Sequence, residues 1–254
     1  MNSINKLLEV NNLSKIYYSI KDETKALENI SFDLYSGDFI GIIGPSGCGK
    51  SSILNIISGL DKEYIGDIKI KENIKIGYML QEDALFTWLT IYENAILGLK
   101  IEKKLNNESK SYVNKLLNKY GLSSFKNKYP NELSGGMKQR LALIRTLATN
   151  PDILLLDEPY SALDYQTRLQ VGNDVYKIIK EENKSVIIVS HDIEECISMC
   201  NKIIVLSKRP AVIKNIHSIE LDNNVNPIDK RKLKNFSSYY NLIWKEIDEN
   251  VSGT

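Results

Sequence analysis

The stretch Gly44-Pro45-Ser46-Gly47-Cys48-Gly49-Lys50-Ser51 restricts this chain more than any other. Two glycines bracket four residues and are followed by Lys and Ser. The apolar run Phe39-Ile40-Gly41-Ile42-Ile43 before it reads as a buried strand, and Ser52 to Ser58 after it reads as a helix. Strand, loop and helix in that order are the context in which such a pattern cradles phosphates. Glycine permits backbone turns that leave N–H groups free to face an anion, and a helix N-terminus adds partial positive charge. Gly44, Pro45, Ser46, Gly47, Cys48, Gly49, Lys50, Ser51 and Ser52 are therefore expected to bind a nucleotide. Lys50 would reach the outer phosphates and the Ser51 hydroxyl would hold Mg²⁺. Cys48 sits in this loop and could be reactive there, since a helix N-terminus lowers thiol pKa.

The rest of the chain bounds the setting. Its 254 residues suffice for one large domain or two small ones. The net charge of +1 offers no strong field to nucleic acid or an anionic membrane. The apolar runs are strand-sized, short of the ~20 residues that span a bilayer. The N-terminus shows no sustained apolar leader, and three cysteines without paired spacing suggest no disulfide framework. A reducing cytoplasm is the expected compartment.

Taken in order, Leu7 to Tyr18 and Ala26 to Leu34 read as an antiparallel pair separated by the polar stretch Lys21-Asp22-Glu23-Thr24. Adjacent Tyr17 and Tyr18 face opposite ways on a strand, so one is expected in the core and the other free to stack on a flat base. Gly66 to Ile70 and Lys75 to Leu80 read as further strands. Gln81 follows, where an amide could meet Mg²⁺ and sense a γ-phosphate. Asp83-Ala84-Leu85-Phe86-Thr87-Trp88-Leu89 has no clean period, and its two aromatics fit either local core filling or a partner surface. Thr90-Ile91-Tyr92-Glu93 is a capping box that opens a helix to about Leu99. Another helix spans about Glu108 to Tyr120, with Val113, Leu116 and Leu117 on one face and Gly121 as its cap. Ser134 caps a further helix, and Gly135 and Gly136 leave its first N–H groups uncovered; this is a second anion-suited helix start or a plain cap.

Ile153-Leu154-Leu155-Leu156-Asp157-Glu158 reads as a parallel strand buried on both faces and ending in two acids. Ligands of open α/β sheets bind at such strand ends. Asp157 would order the Mg²⁺ hydration shell and Glu158 would orient or deprotonate water; the alternative is a helix-capping pair. Ser185 to Val189 is a similar strand ending at Ser190-His191-Asp192, which puts His191 at the same edge. Asp192 and Glu195 read as a capping box, and Cys196 and Cys200 as core on the apolar face behind it. Lys202 to Leu206 is a last core strand, with an edge hairpin over Ala211 to Ile219. Asp229-Lys230-Arg231-Lys232 reads as a solvated face. Tyr240, Ile243, Trp244 and Ile247 read as a packing stripe on a closing helix.

These motifs, in this order, give the chain its resemblance to the ATP-binding subunit of ABC transporters. They are the phosphate loop Gly44 to Ser51, Gln81, Leu133-Ser134-Gly135-Gly136-Met137, Asp157-Glu158, Ser161-Ala162-Leu163-Asp164 and His191. Tyr17, within Leu13-Ser14-Lys15-Ile16-Tyr17, matches the aromatic that stacks on adenine in that family. The resemblance implies an α/β fold with a P-loop (RecA-like) core, an antiparallel β subdomain and an inserted α-helical subdomain, forming a single ABC ATPase domain over 1–254. The core would take 1–83 and 150–254, and the helical subdomain 84–149. ATP and Mg²⁺ are the implied cofactors. Glu158, His191 and Gln81 would be catalytic, and Ser51, Gln81 and Asp157 would serve the metal. Ser134, Gly135, Gly136 and Asp164 would complete the nucleotide site of a second copy in an ATP-sandwiched homodimer. Asp83-Ala84-Leu85-Phe86-Thr87-Trp88-Leu89-Thr90, Leu163 to Arg168 and Val205 to Pro210 look like the nitrate/sulfonate/taurine importer group, although Thr87 stands where that group usually has Pro. The implied partners are separate membrane permease subunits, contacted through Asp83 to Leu89, and indirectly an extracytoplasmic substrate-binding protein, with no nucleic acid. The implied place is the cytoplasmic face of the membrane.

Overall fold

The computed structural model describes residues 5–19, 22–81, 83–161, 163–222 and 224–252. Lys21 of the polar stretch and Ala162 of the Ser161 to Asp164 loop lie outside them. Strands β1 (Lys6–Tyr18) and β2 (Glu23–Tyr35) pair antiparallel, and β4 (Ile65–Ile70) pairs on the other side of β1. The second sheet takes β3 (Phe39–Ile43), β5 (Ile76–Met79), β6 (Ile153–Asp157), β7 (Ser185–Val189), β8 (Lys202–Leu206) and β9 (Ile213–Ser218) in the order β5-β6-β7-β3-β8-β9. Its first five strands are parallel, and β9 closes one edge antiparallel to β8.

Each residue of β3, β6 and β7 is buried, which is why these strands read as unbroken apolar runs. Alternation sorts their side chains between two cores. Ile40, Ile42, Ile153, Leu155, Ile187 and Val189 face helix α1 (Lys50–Ile57) and the antiparallel layer. On the other face, Ile43, Leu154, Leu156, Val186 and Ile188 pack with the remaining helices. Between β5 and β6 run α2 (Ile91–Ala95), α3 (Leu97–Ile101), α4 (Asn107–Lys119) and α5 (Gly135–Ala148). Next come α6 (Tyr165–Glu181), α7 (Ile193–Met199), α8 (Pro227–Lys230) and α9 (Phe236–Ser252). Leu141, Leu143, Ile144 and Leu147 of α5 share a core with β6 and β7, so the helical stretch is packed onto the sheet rather than standing apart.

Local chemistry explains most boundaries. The Thr90 hydroxyl accepts from Glu93 N–H at 3.2 Å, and the Glu93 carboxylate accepts from Thr90 N–H at 2.8 Å, so the expected box closes. The helix it opens breaks at Ile96 into α2 and α3. At Asp192 the expected box closes only on one side. The Asp192 carboxylate accepts from Glu195 N–H at 3.0 Å, while the Glu195 carboxylate turns inward and accepts from the Ser190 hydroxyl at 2.9 Å.

Three other expectations need correction. Tyr17 and Tyr18 are both exposed, at 43% and 74%, because the end of the β1–β2 ribbon runs beyond the core. Lys230 is buried at 1%, its ammonium 5.2 Å from the Tyr176 ring, so Asp229 to Lys232 is not a uniformly solvated face. Trp244 does not complete the packing stripe: it is 52% exposed and stacks on Tyr240, while Ile243 is fully buried.

Gly77 on β5 sets the distance to α5. A Cβ there would stand 2.7 Å from Thr146 Cγ2 and 2.9 Å from Pro151 Cγ, closer than atoms pack. Gly77→Val should therefore cost about 1–3 kcal/mol by overpacking. Urea melts of Gly77→Val, Thr146→Ala and the double variant should show that shrinking Thr146 recovers part of that loss; strictly additive losses would place the strain elsewhere.

Candidate functional site

Parallel pairing brings the C-terminal ends of five strands to one edge of the sheet. In spatial order they deliver Gln81 after β5, Asp157 and Glu158 at the end of β6, His191 after β7, the Gly44 to Ser51 loop after β3, and Arg209 after β8. Residues far apart in sequence thus converge without long loops.

The loop is a tight cradle. Gly47 and Gly49 adopt φ of 71° and 120°, a region that side chains disfavour. A Cβ at Gly49 would lie 2.8 Å from Leu27, and one at Gly47 would lie 2.9 Å from Arg209. Lys50 is buried and donates to the carbonyls of Gly44 and Pro45 at 3.0 and 3.1 Å, which draws its ammonium back along the loop. Arg209 Nε donates to Gly47 O at 2.6 Å and so staples the loop to the end of β8. The Ser52 hydroxyl lies 2.9 Å from the Tyr17 hydroxyl, bringing the end of the β1–β2 ribbon to the start of α1. Cys48 does not fit the expected reactive thiol: it is 2% exposed, and burial pushes its pKa up despite Lys50 and the backbone N–H groups nearby.

Ser51 Oγ donates to Asp157 Oδ1 at 3.0 Å, and the Tyr78 hydroxyl donates to Asp157 Oδ2 at 3.2 Å. Burial raises the Asp157 pKa, with both hydroxyl donors pulling the other way. A serine hydroxyl beside a carboxylate is an oxygen donor set that suits a hard cation such as Mg²⁺. The next residue, Glu158, has φ of 44°, a conformation that favours glycine. Its N–H is tied to Val189 O at 2.9 Å, which holds its side chain out from the strand end. Gln81 Nε2 donates to Glu158 Oε2 at 3.3 Å, and His191 Nδ1 lies 3.3 Å from the same oxygen. Three residues read separately from the sequence therefore meet at one carboxylate oxygen.

Ser134 caps α5, its hydroxyl accepting from Met137 N–H at 3.4 Å, and Ser134 and Gly135 are exposed. A Cβ at Gly136 would stand 2.9 Å from Val171, so close packing of α5 on α6 accounts for that glycine. Asp164 caps α6 by accepting from Thr167 N–H at 3.1 Å, and the Thr167 donors hold its carboxyl below the usual range. Arg168 ties this loop to the other edge of the site, donating to Leu163 O at 3.2 Å and to Asp192 Oδ2 at 3.4 Å. Beside the site, the Asp83 to Leu89 segment is a loop whose Phe86 and Trp88 rings meet edge-on at 5.1 Å, 38% and 70% exposed.

Sequence reading missed four residues that hold these loops. Tyr78 and Arg209 sit at strand ends, and that position is a signal the pattern contains. Asn94 and Arg145 brace the Asp83 to Leu89 loop. The fully buried Asn94 accepts from Phe86 N–H at 2.9 Å and donates to the Phe86 and Leu89 carbonyls of the loop, and Arg145 donates to Asp83 O and Ala84 O at 2.7 Å. A polar residue on a helix carries no such signal until its surroundings are known.

Behind His191, Glu195 is buried between the Asp192 carboxylate and apolar neighbours. Burial, then the Asp192 charge, pushes its pKa up to about 8 from 4.5. Between those values the folded chain keeps a proton that the unfolded chain has released. Stability is therefore highest at the low end of that window and falls as pH rises through it. Glu195→Gln, neutral throughout, should flatten this part of the profile of urea midpoint against pH. An unchanged slope would place the titrating group elsewhere.

Comparisons with known proteins give the family and the fold. A family model described as ABC transporter matches residues 27–161. The "Uncharacterized ABC transporter ATP-binding protein YtlC" of Bacillus subtilis is 46% identical over 248 residues, 95% of each chain. The "Aliphatic sulfonates import ATP-binding protein SsuB" of Bacillus anthracis is 39% identical over 224 residues, 86% of each chain. Among solved structures, a dimeric ATP-binding cassette in a post-hydrolysis state bound to ADP and Pi matches with a TM-score of 0.73 and 32% identity, over 84% of this chain and 99% of that one.

Proposed function

The chain belongs to the ABC transporter family, as an ATP-binding, ATP-hydrolysing subunit, and from that membership we propose that it powers an importer of the nitrate/sulfonate/taurine group. Support for the importer comes from the likeness to the sulfonate-import ATP-binding protein. Among the described residues no helix is long and apolar enough to cross a membrane, so separate permease subunits would carry the solute.

The observation that carries the catalytic reading is the meeting of Gln81 and His191 on Glu158 Oε2. Glu158 orients or deprotonates the attacking water, and His191 steadies that carboxylate and reaches toward the γ-phosphate. Lys50 exchanges its loop carbonyls for phosphate oxygens. Tyr17, exposed beside Ser52, offers its face to the adenine. Mg²⁺ would be held by Ser51 and Gln81, with Asp157 ordering its waters, and would supply charge neutralisation on the phosphates. Ser134, Gly135, Gly136 and Asp164 would face the nucleotide of a second copy, giving two composite sites on a two-fold axis. In this reading 84–149 acts as a helical subdomain, and the remainder as the nucleotide-binding core at the inner face of the membrane.

Glu158→Gln should retain ATP binding while turnover drops roughly 10²–10⁴-fold. With ATP and Mg²⁺ the same variant should dimerise on light scattering, and adding Ser134→Arg should block the dimer. Near-normal turnover would refute the base, and dimerisation of the double variant would refute the cross-subunit site.

The braced Phe86–Trp88 loop would receive the permease, since exposed aromatics held on a rigid frame suit a short helix laid in a groove. Trp88→Ala should leave the melting temperature and basal ATPase activity of the isolated subunit unchanged and abolish assembly with its permease. A large fall in melting temperature with permease binding intact would return Trp88 to a packing role.

A further inference from the structure

Seven buried side-chain polar atoms lack a hydrogen-bond partner among the described residues, and five of them belong to residues lining one small pocket. They are the Tyr160 hydroxyl, Arg168 Nε, Asn173 Oδ1, Glu195 Oε1 and Arg231 Nε. The pocket measures about 20 Å³, enough for one water and little else. An unpartnered buried polar atom costs free energy, and five such atoms on residues that line one space point to a common partner.

The charges around the pocket choose that partner. The Arg168 guanidinium is paired with Asp192, and that of Arg231 with Glu194. Among the described residues lining the pocket, Glu195 is the one acid; it makes no ion pair, and burial and the Asp192 charge push its pKa up, so the lining is close to neutral. The two Nε–H groups can only donate, Asn173 Oδ1 can only accept, and the Tyr160 hydroxyl and a protonated Glu195 can do either. An anion would leave the Asn173 oxygen unsatisfied. A cation would face two guanidinium groups. Water, which donates two bonds and accepts two, can join up to four of the five.

We propose that this pocket holds one ordered water that locks the His191 loop to the Glu158 loop and to the segment after α8. The connectivity carries the second half of that statement. Tyr160 lies two residues beyond Glu158, and Arg168 and Asn173 lie on α6. Glu195 lies four residues beyond His191 and accepts from Ser190 Oγ, and Arg231 follows α8. A molecule bonded to these residues fixes the separation of the two loops that meet at Glu158 Oε2. Glu195 and Asn173 are then positioning residues, and their effect on turnover rests on the catalytic reading above.

A crystal structure of the chain at about 1.5 Å resolution should show one peak within hydrogen-bond distance of at least three of the five atoms, and a bromide soak should give no anomalous signal there. Lack of such a peak, or its replacement by bromide, overturns the water. The second arm measures kcat and KM for ATP. Glu195→Gln should keep both peak and turnover. Glu195→Leu and Asn173→Leu should lose the peak and lower kcat severalfold at unchanged KM, with the fold retained by circular dichroism. If the peak is lost and kcat stays at the starting value, the water is structural and the locking role fails. If the starting protein has no ATPase activity, the catalytic reading fails while the density arm still decides the water.

Discussion

The parallel pairing of β3 with β7 on one side and β8 on the other is the constraint on which the rest depends. β3 is apolar throughout and buried on both faces, so it is stable only with strands at both edges and layers above and below. Once it is enclosed, the loop that leaves its C-terminal end has walls on either side. Arg209 from the β8 side grips Gly47 O, and Ser51 at the start of α1 meets Asp157 from β6. The phosphate cradle is a property of the sheet's interior as much as of the octapeptide that forms it.

That dependence explains which parts of the chain could be read without coordinates. The glycine-rich loop, the apolar runs and the capping Thr90, Ser134 and Asp192 are local signals, since each rests on residues within a few positions of one another. The shared edge of Glu158 and His191 was legible because both follow apolar strands and parallel strand ends share an edge; the contact of Gln81 with Glu158 comes from the structure. The errors lie where burial is decided by distant segments. Tyr17 and Tyr18 alternate correctly on a strand, but the ribbon overruns its core and exposes both. Lys230 sits in a charged run and is nevertheless covered, with the Tyr176 ring beneath its ammonium. Cys48 lies at a helix start that would favour the thiolate, yet it is packed against the antiparallel layer, and burial outweighs the helix.

Glu195 shows the same competition at finer scale. Its spacing from Asp192 fits a capping box, and in an exposed helix the carboxylate would turn back to the Asp192 N–H. Here Ser190 Oγ takes that N–H instead: it accepts from Asp192 N–H at 3.1 Å and donates to the Glu195 carboxylate at 2.9 Å. The serine relays the cap and frees the acid to point inward. One hydroxyl therefore sets the geometry after His191, while burial and the Asp192 charge raise the Glu195 pKa against its pull.

Two kinds of support surround the site, and they differ in what they permit. Arg209 on Gly47 and the N–H of Glu158 on Val189 O are single short bonds from backbone or guanidinium to fixed carbonyls, and they hold their loops to the sheet. The bonds from Gln81 and His191 to Glu158 are both 3.3 Å, made by exposed side chains, and can be exchanged for bonds to a ligand at little cost. A nucleotide entering the cradle would thus meet a rigid floor and a yielding rim. Under the proposed function that division has a direct consequence. Gln81 is the rim residue at the head of the Asp83 to Leu89 loop, and that loop is braced by Asn94 and Arg145 as one body. Asn94 lies on α2 and Arg145 on α5, so a shift of Gln81 toward bound phosphate would be passed through the loop to those two helices.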